Sequence, residues 1–196
     1  MASRALTVGE VAVASALFGD AIDYAKVRIH NRRYLPFGLQ PKNCAMAPNG
    51  RLYFHHSCFL DDFSANGVHA RHWFLHEMVH VWQHQLGYPV RLRGAVRIGL
   101  DYRYRLRAGA TLADFNMEAQ GDLLADYFVL KILGNPGAMR WRDNADRLDL
   151  FEAVLGDFLA APASRANLPR TVLHTVLRAC RRVVIRALAC TLPRWR

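Results

Sequence analysis

Trp73-Phe74-Leu75-His76-Glu77-Met78-Val79-His80-Val81-Trp82 is the stretch on which the reading of this chain turns. Its apolar residues recur at helical spacing, and the periodic pattern predicts a helix over residues 69–86, stopped by Gly87 and Pro89. On a helix, side chains four apart share a face. His76 and His80 therefore aim two imidazoles at one point, and Glu77 leans beside them. Two histidines at this spacing suit Zn²⁺, and a carboxylate one residue on suits a general base acting on a zinc-bound water, whose pKa the metal lowers to about 7. A chain with nine histidines meets HExxH by chance in roughly one case in a hundred. The surroundings sharpen the match. No charged residue other than Glu77 interrupts the stretch, and a carboxylate beside two histidines on an apolar helix is costly without a partner.

A zinc site needs a third protein ligand. His84 continues the series, but it lies about 12 Å along the helix axis from His76, too far to share an ion with it. The next helical pattern, residues 112–133, carries Asn116-Met117-Glu118-Ala119-Gln120-Gly121-Asp122. Glu118 and Asp122 are again four apart, so Glu118 is the candidate third ligand and Asp122 the residue that orients a ligating histidine. The competing reading makes Glu118, Asp122 and Asp126 a solvated acidic stripe. An oxyanion developing opposite the metal needs a donor. Tyr102 and Tyr104 in the alternating Asp101-Tyr102-Arg103-Tyr104-Arg105-Leu106 are the candidates, with His69 and His72 behind them.

Other elements follow from local signals. Thr7-Val8-Gly9-Glu10 has capping-box spacing and predicts a helix over Val8–Phe18 rather than a signal peptide. Residues 21–35 read as mixed extended structure. Pro48-Asn49-Gly50 marks a turn before a strand at residues 51–54, and residues 144–159 form a further helix. The cysteines form no CxxC pair; Cys44 and Cys58 flank the turn and read as two free thiols. The pattern is that of an α+β protein of 196 residues: a domain at residues 1–164 and a basic amphipathic helix at 165–196 packed on it.

The chain carries 26 Lys and Arg against 16 Asp and Glu, a net charge of +10. From Arg165 onward there are eight arginines and no acid, and residues 91–107 hold six arginines against Asp101, which leaves the remainder net acidic. The amphipathic C-terminal pattern suits packing on the domain, an anionic membrane or cell surface, or a partner groove. Nucleic acid is disfavoured, because no binding module or stacking motif accompanies the arginines.

His76-Glu77-x-x-His80 followed by Glu118-x-x-x-Asp122 resembles the gluzincin branch of zinc metallopeptidases. Leu17-Phe18-Gly19-Asp20, Asn49-Gly50, Asp62-Phe63-Ser64, His76 through Gln83, Asp101-Tyr102-Arg103-Tyr104 and Phe115 through Gln120 extend the likeness. Together they resemble the Vgr-related zinc peptidases, which accompany type VI secretion as extensions of VgrG spikes or as separate small proteins. The resemblance implies a zincin-like fold: an active-site helix beside a small sheet, with a second helix bringing the third ligand. It implies hydrolysis of peptide or protein substrate, with His76, His80 and Glu118 on Zn²⁺ and Glu77 as base. It also implies a spike partner, an immunity protein, and an antibacterial effector made in the bacterial cytoplasm and delivered to a target cell's periplasm. The rival expectation is a degenerate or zinc-stabilised scaffold that binds membrane, cell wall or a partner through its basic C-terminal helix.

Overall fold

The computed structural model describes residues 3–37, 39–96 and 99–170. Of the basic helix expected over residues 165–196, all but residues 165–170 lies outside the described residues. Residues 165–170 pack on the body of the domain. Arg165–Asn167 forms a 3-10 turn, and the backbone N–H of Arg170 donates to Ala113 O at 3.0 Å.

Five α-helices and a short three-stranded sheet are seen among the described residues, an α+β mixture. Helix α1 (Val8–Phe18) starts where its cap predicts: Glu10 N donates to the Thr7 hydroxyl, and Thr7 N donates back to the Glu10 carboxylate. Glu10 does more than cap. It is fully buried, and both of its oxygens lie 2.7 Å from the Arg4 guanidinium while one also accepts from Phe63 N at 2.9 Å. A buried carboxylate is tolerable because it is paired and hydrogen-bonded on every side. It ties α1 to strand β1 (Ser3–Arg4) and to the loop at Phe63.

Strand β2 (Ile29–Asn31) pairs antiparallel with β1 and parallel with β3 (Leu52–Phe54), Ile29 standing opposite Leu52. A lone antiparallel bridge joins Met46 to Tyr53 across the predicted turn, where Gly50 takes φ 75°. The positive φ favours glycine there, and an added side-chain carbon would also stand 2.8 Å from the His84 ring, which would have to shift.

The long helix α2 (Gly67–Gln85) packs against β3 and is buried from Phe74 through Gln83, its last turn returning to the surface. Its Trp82 is packed among Phe18 of α1 and Phe158 of α5 (Leu148–Ala160), and its indole N–H donates to Pro162 O. A short helix α3 (Val90–Ala95) follows. The helix expected over residues 112–133 is broken at both ends. Leu112–Asp114 is a separate 3-10 turn, and α4 (Met117–Tyr127) begins only after Asn116, whose side chain accepts from Glu118 N and Ala119 N. A side chain that caps so well starts a helix rather than continuing one. Beyond Tyr127 the helix widens into a π turn, Phe128–Ile132. The helix expected from residue 144 starts at Leu148, because Arg142–Asn144 forms a 3-10 turn of its own. Residues 101–106 form no strand in the structure. Tyr104 and Leu106 are nevertheless buried, as their alternation requires. No helix among the described residues is long and apolar enough to cross a membrane.

Candidate metal centre

Helices α2 and α4 pack face to face, and the close approach between them is made at Gly121. A side-chain carbon there would stand 2.6 Å from His76 Cε1 and 2.7 Å from its Nδ1, so the imidazole occupies the space a larger residue would fill. That contact brings Glu118, far off in sequence, against the histidine pair. Glu118 Oε2 lies 3.3 Å from His76 Nε2 and 3.2 Å from His80 Nε2. One donor atom from each of the three residues falls within 4.8 Å of the others, and all three side chains are buried. The two rings stand edge to face, 5.0 Å apart at 84°.

The rings are held from behind. His76 Nδ1 donates to Asp122 Oδ1 at 2.8 Å, and His80 Nδ1 donates to Gln83 Oε1 at 2.9 Å. Each such bond fixes a proton on Nδ1 and leaves Nε2 as the nitrogen turned toward Glu118, where it donates to the carboxylate when protonated and offers a lone pair to a cation when not. The supports are themselves supported. Asp122 Oδ2 accepts from Arg140 Nε and the Trp141 indole, both at 2.9 Å. Gln83 donates to Met117 O and Gln120 Oε1, and Gln120 in turn donates to Leu112 O and Asn167 O.

Burial penalises every charge in this cluster, and the neighbours decide which survive. Burial opposes protonation of His76, but the hydrogen bonds to Asp122 and Glu118 outweigh it and push the imidazole up to about 10. His80 is raised in the same way, against burial, by Glu118. Glu118 is held far below the usual carboxylate range: burial would raise it, but the two histidines dominate. Glu77 is pushed up, chiefly by burial, and its Oε2 is buried with no hydrogen-bond partner. Two imidazoles and a carboxylate that share protons so tightly are a donor set suited to a cation in their place. The orphaned Glu77 oxygen beside them has the open valence a bound water would fill. The residues fit a zinc ion by ligand type, number and orientation.

These groups line a cavity of about 780 Å³, walled by Tyr34, Met46, Trp73, Val90, Tyr102 and Arg140 among others. Of the two tyrosines singled out in the sequence, Tyr102 stands in this wall, stacked on His76 at 5.7 Å and 21°. Tyr104 does not line the cavity: it is buried, and its hydroxyl is committed to Asp126 Oδ2 at 2.7 Å. His69 and His72 both reach the wall, and His72 Nε2 is held by Asp126 Oδ1 at 2.9 Å. The acidic-stripe reading fails outright. Glu118, Asp122 and Asp126 are 7%, 1% and 0% exposed. They face the HExxH helix instead of water. Arg140, Trp141 and Gln83 were missed in the sequence. Gln83 sits three residues from His80, a spacing that places it within reach, but Arg140 and Trp141 arrive from a loop that no local pattern connects to the site.

No protein-family model matches the chain. The type VI secretion system spike protein VgrG2b of Pseudomonas aeruginosa is 44% identical to it over 137 residues, covering 66% of this chain. The chain spans only 13% of that spike protein's length. The solved effector domain of Pseudomonas aeruginosa VgrG2b superposes with a TM-score of 0.63 at 38% identity, covering 79% of this chain and 83% of the domain. At that identity and coverage, with α2 and α4 disposed as described, the chain belongs to the family of the VgrG2b effector domain.

Proposed function

We propose that this chain is a type VI secretion effector that hydrolyses peptide bonds as a zinc metallopeptidase of zincin-like fold. The observation that carries the reading is the convergence of His76, His80 and Glu118 within 4.8 Å, each histidine fixed from behind. The family relationship to a spike protein's effector domain supports the secretion half of the reading and is consistent with a secretion spike as partner; an immunity protein in the producing cell is part of the proposal. Zinc held by the three residues supplies Lewis acidity and an activated water.

The remaining chemistry belongs to the chain. Glu77 is buried beside the triad, with a raised proton affinity and an unengaged oxygen. Such a carboxylate accepts the proton of the attacking water and returns it to the leaving amine, because its pKa is moved toward neutrality. Asp122 and Gln83 hold the imidazoles so that neither ring must reorganise during the reaction. Tyr102, flat against His76 in the cavity wall, is the better placed of the two tyrosines to face a substrate carbonyl. The cavity's size and apolar walls suit a peptide segment.

Glu77→Gln tests the reading. The variant keeps about one zinc per chain by metal analysis and loses peptide hydrolysis by at least about a thousandfold, the scale on which a proton-transfer group and its electrostatics act. Expressed in a bacterial periplasm, wild type slows growth and Glu77→Gln does not. Wild-type protein purified without chelator and found free of zinc refutes the metal assignment. Undiminished hydrolysis by Glu77→Gln refutes the base.

A further inference from the structure

Between Asp23 and Asp61 the chain has no acidic residue, yet it carries Lys26, Arg28, Arg32, Arg33, Lys42 and Arg51. This basic block is submerged in the acidic remainder when charge is summed along the sequence. Three of these cations, Arg32, Arg33 and Lys42, flank a pinned turn in the chain. Gln40 is fully buried; its Oε1 accepts from Tyr34 N at 2.7 Å, and its Nε2 donates to Cys44 O at 2.8 Å and Tyr53 O at 3.2 Å. One amide thus clamps the base of the turn to the sheet. Leu39 N donates to Pro36 O and closes the tip.

The clamp leaves two large apolar side chains in water. Phe37 is 96% exposed, the most of any large hydrophobic residue described, and Leu39 is 68% exposed. Phe37 also holds φ 53°, a left-handed conformation that is strained for a bulky residue. Neither feature stabilises the folded chain. Cations gather at the base of the same turn. The Arg32 guanidinium lies 5.7 Å over the Tyr53 ring, on which His30 is also stacked at 4.5 Å. His55, packed on His56 at 3.8 Å between ring centroids, is held below its ordinary value by burial and then by the charges of His56, Arg33 and Lys42.

We propose that this turn is a membrane-docking element: Phe37 and Leu39 enter the interfacial layer of an anionic bilayer while Arg32, Arg33 and Lys42 engage lipid phosphates. Two apolar groups on an exposed turn are too little surface for the core of a specific protein interface. A bilayer accepts them without shape complementarity, and single-sign charge with no acid nearby matches its surface. Tyr34 and Leu35, at the base of the turn, line the same cavity as His76 and Glu118. Docking therefore sets the cavity against the membrane surface, where membrane-proximal peptide segments are presented. The docking itself is independent of the peptidase reading; only the choice of peptide segments rests on it.

The test uses the full chain and sedimentation with vesicles of phosphatidylcholine alone or with three-tenths phosphatidylglycerol. Wild type binds the anionic vesicles, less so as salt is raised. The Phe37→Ser/Leu39→Ser variant, verified as folded by circular dichroism, loses about tenfold in partitioning, and Arg32→Gln/Arg33→Gln/Lys42→Gln loses at least as much. Because the basic residues beyond 170 also attract anionic lipid, a second measurement reads the tip alone. Phe37→Trp adds a blue-shifted emission component on anionic vesicles that lipid brominated near the headgroup quenches. Serine variants that bind like wild type, or a Phe37→Trp emission unmoved by vesicles, overturn the proposal. So does binding to isolated cell-wall sacculi or to a protein with vesicles ignored.

Discussion

Replacing Gly121 by alanine sets two effects of opposite sign against each other, and the structure says which wins. In a helix interior alanine is favoured over glycine by about 1 kcal/mol, so propensity alone makes Gly121→Ala stabilising. The added carbon, however, would stand 2.6 Å from His76 Cε1, 2.7 Å from Nδ1 and 3.0 Å from Nε2. Ordinary contact begins at 3.4 Å, so the ring must retreat by about 0.8 Å or α4 must move off α2. The ring has little freedom to do so, with Asp122 and Glu118 bonded to its two nitrogens and Tyr102 stacked on its face. Overpacking of this kind costs about 1–3 kcal/mol, which offsets or exceeds the propensity gain. The larger consequence is for metal. A displaced His76 loses its alignment with His80 and Glu118, and disturbance of a ligand's support typically costs about 10–100-fold in affinity. Zinc affinity is measured by competition with a chromophoric chelator, and stability by urea denaturation of the chelator-treated protein. A variant that is about 1 kcal/mol more stable and binds zinc within twofold of wild type refutes the argument, since it would show that α2 and α4 have slack at this contact.

Two further outcomes follow from the charges. In the metal-free protein His76 is raised from 6.5 to about 10, so its contribution to stability is fully present below pH 6.5 and is lost as pH rises toward 10. Glu118 is depressed from 4.5, so its contribution is present above pH 4.5 and is lost as pH falls through the depressed value; the pair together favours the fold most between pH 4.5 and 6.5. Thermal unfolding of chelator-treated protein should therefore show a melting temperature that declines from pH 6.5 to 9.5, with the decline reduced in His76→Gln; identical slopes would contradict the assignment. Asp126, fully buried, takes bonds from His72, Tyr104 and the backbone N–H groups of Arg140 and Trp141. Asp126→Ala strands four donors at once and should cost at least about 3 kcal/mol in denaturant titration, and a loss under 1 kcal/mol would mean that water or a neighbour replaces the carboxylate.

The elements legible from sequence are those whose signal is local. The Thr7–Glu10 box, the HExxH helix and the Pro48-Asn49-Gly50 turn depend on residues a few positions apart, and each appears where its pattern places it. The misreadings share one cause. Residues 112–116 look helical by apolar spacing, but Asn116 bonds its own following backbone, a choice that periodicity cannot register. Tyr102 and Tyr104 alternate cleanly, but alternation does not say which one faces the cavity and which one Asp126 captures. An acidic run at four-residue spacing reads the same whether it faces water or histidines.

What the sequence determined by itself is therefore the half of the site that one helix can carry: His76, Glu77 and His80, whose mutual geometry is set by the helical repeat. It also determined the candidates on α4, because Glu118 and Asp122 share a face by the same repeat. That the two faces meet was decided only in three dimensions. It depends on Gly121 leaving room for an imidazole, on Arg140 and Trp141 closing over Asp122, and on Gln83 and Gln120 spanning from α2 to the chain around Asn167. Backbone hydrogen bonding has a period and leaves a trace in composition. Contacts between helices obey only volume and charge, and those are satisfied by partners the sequence does not order.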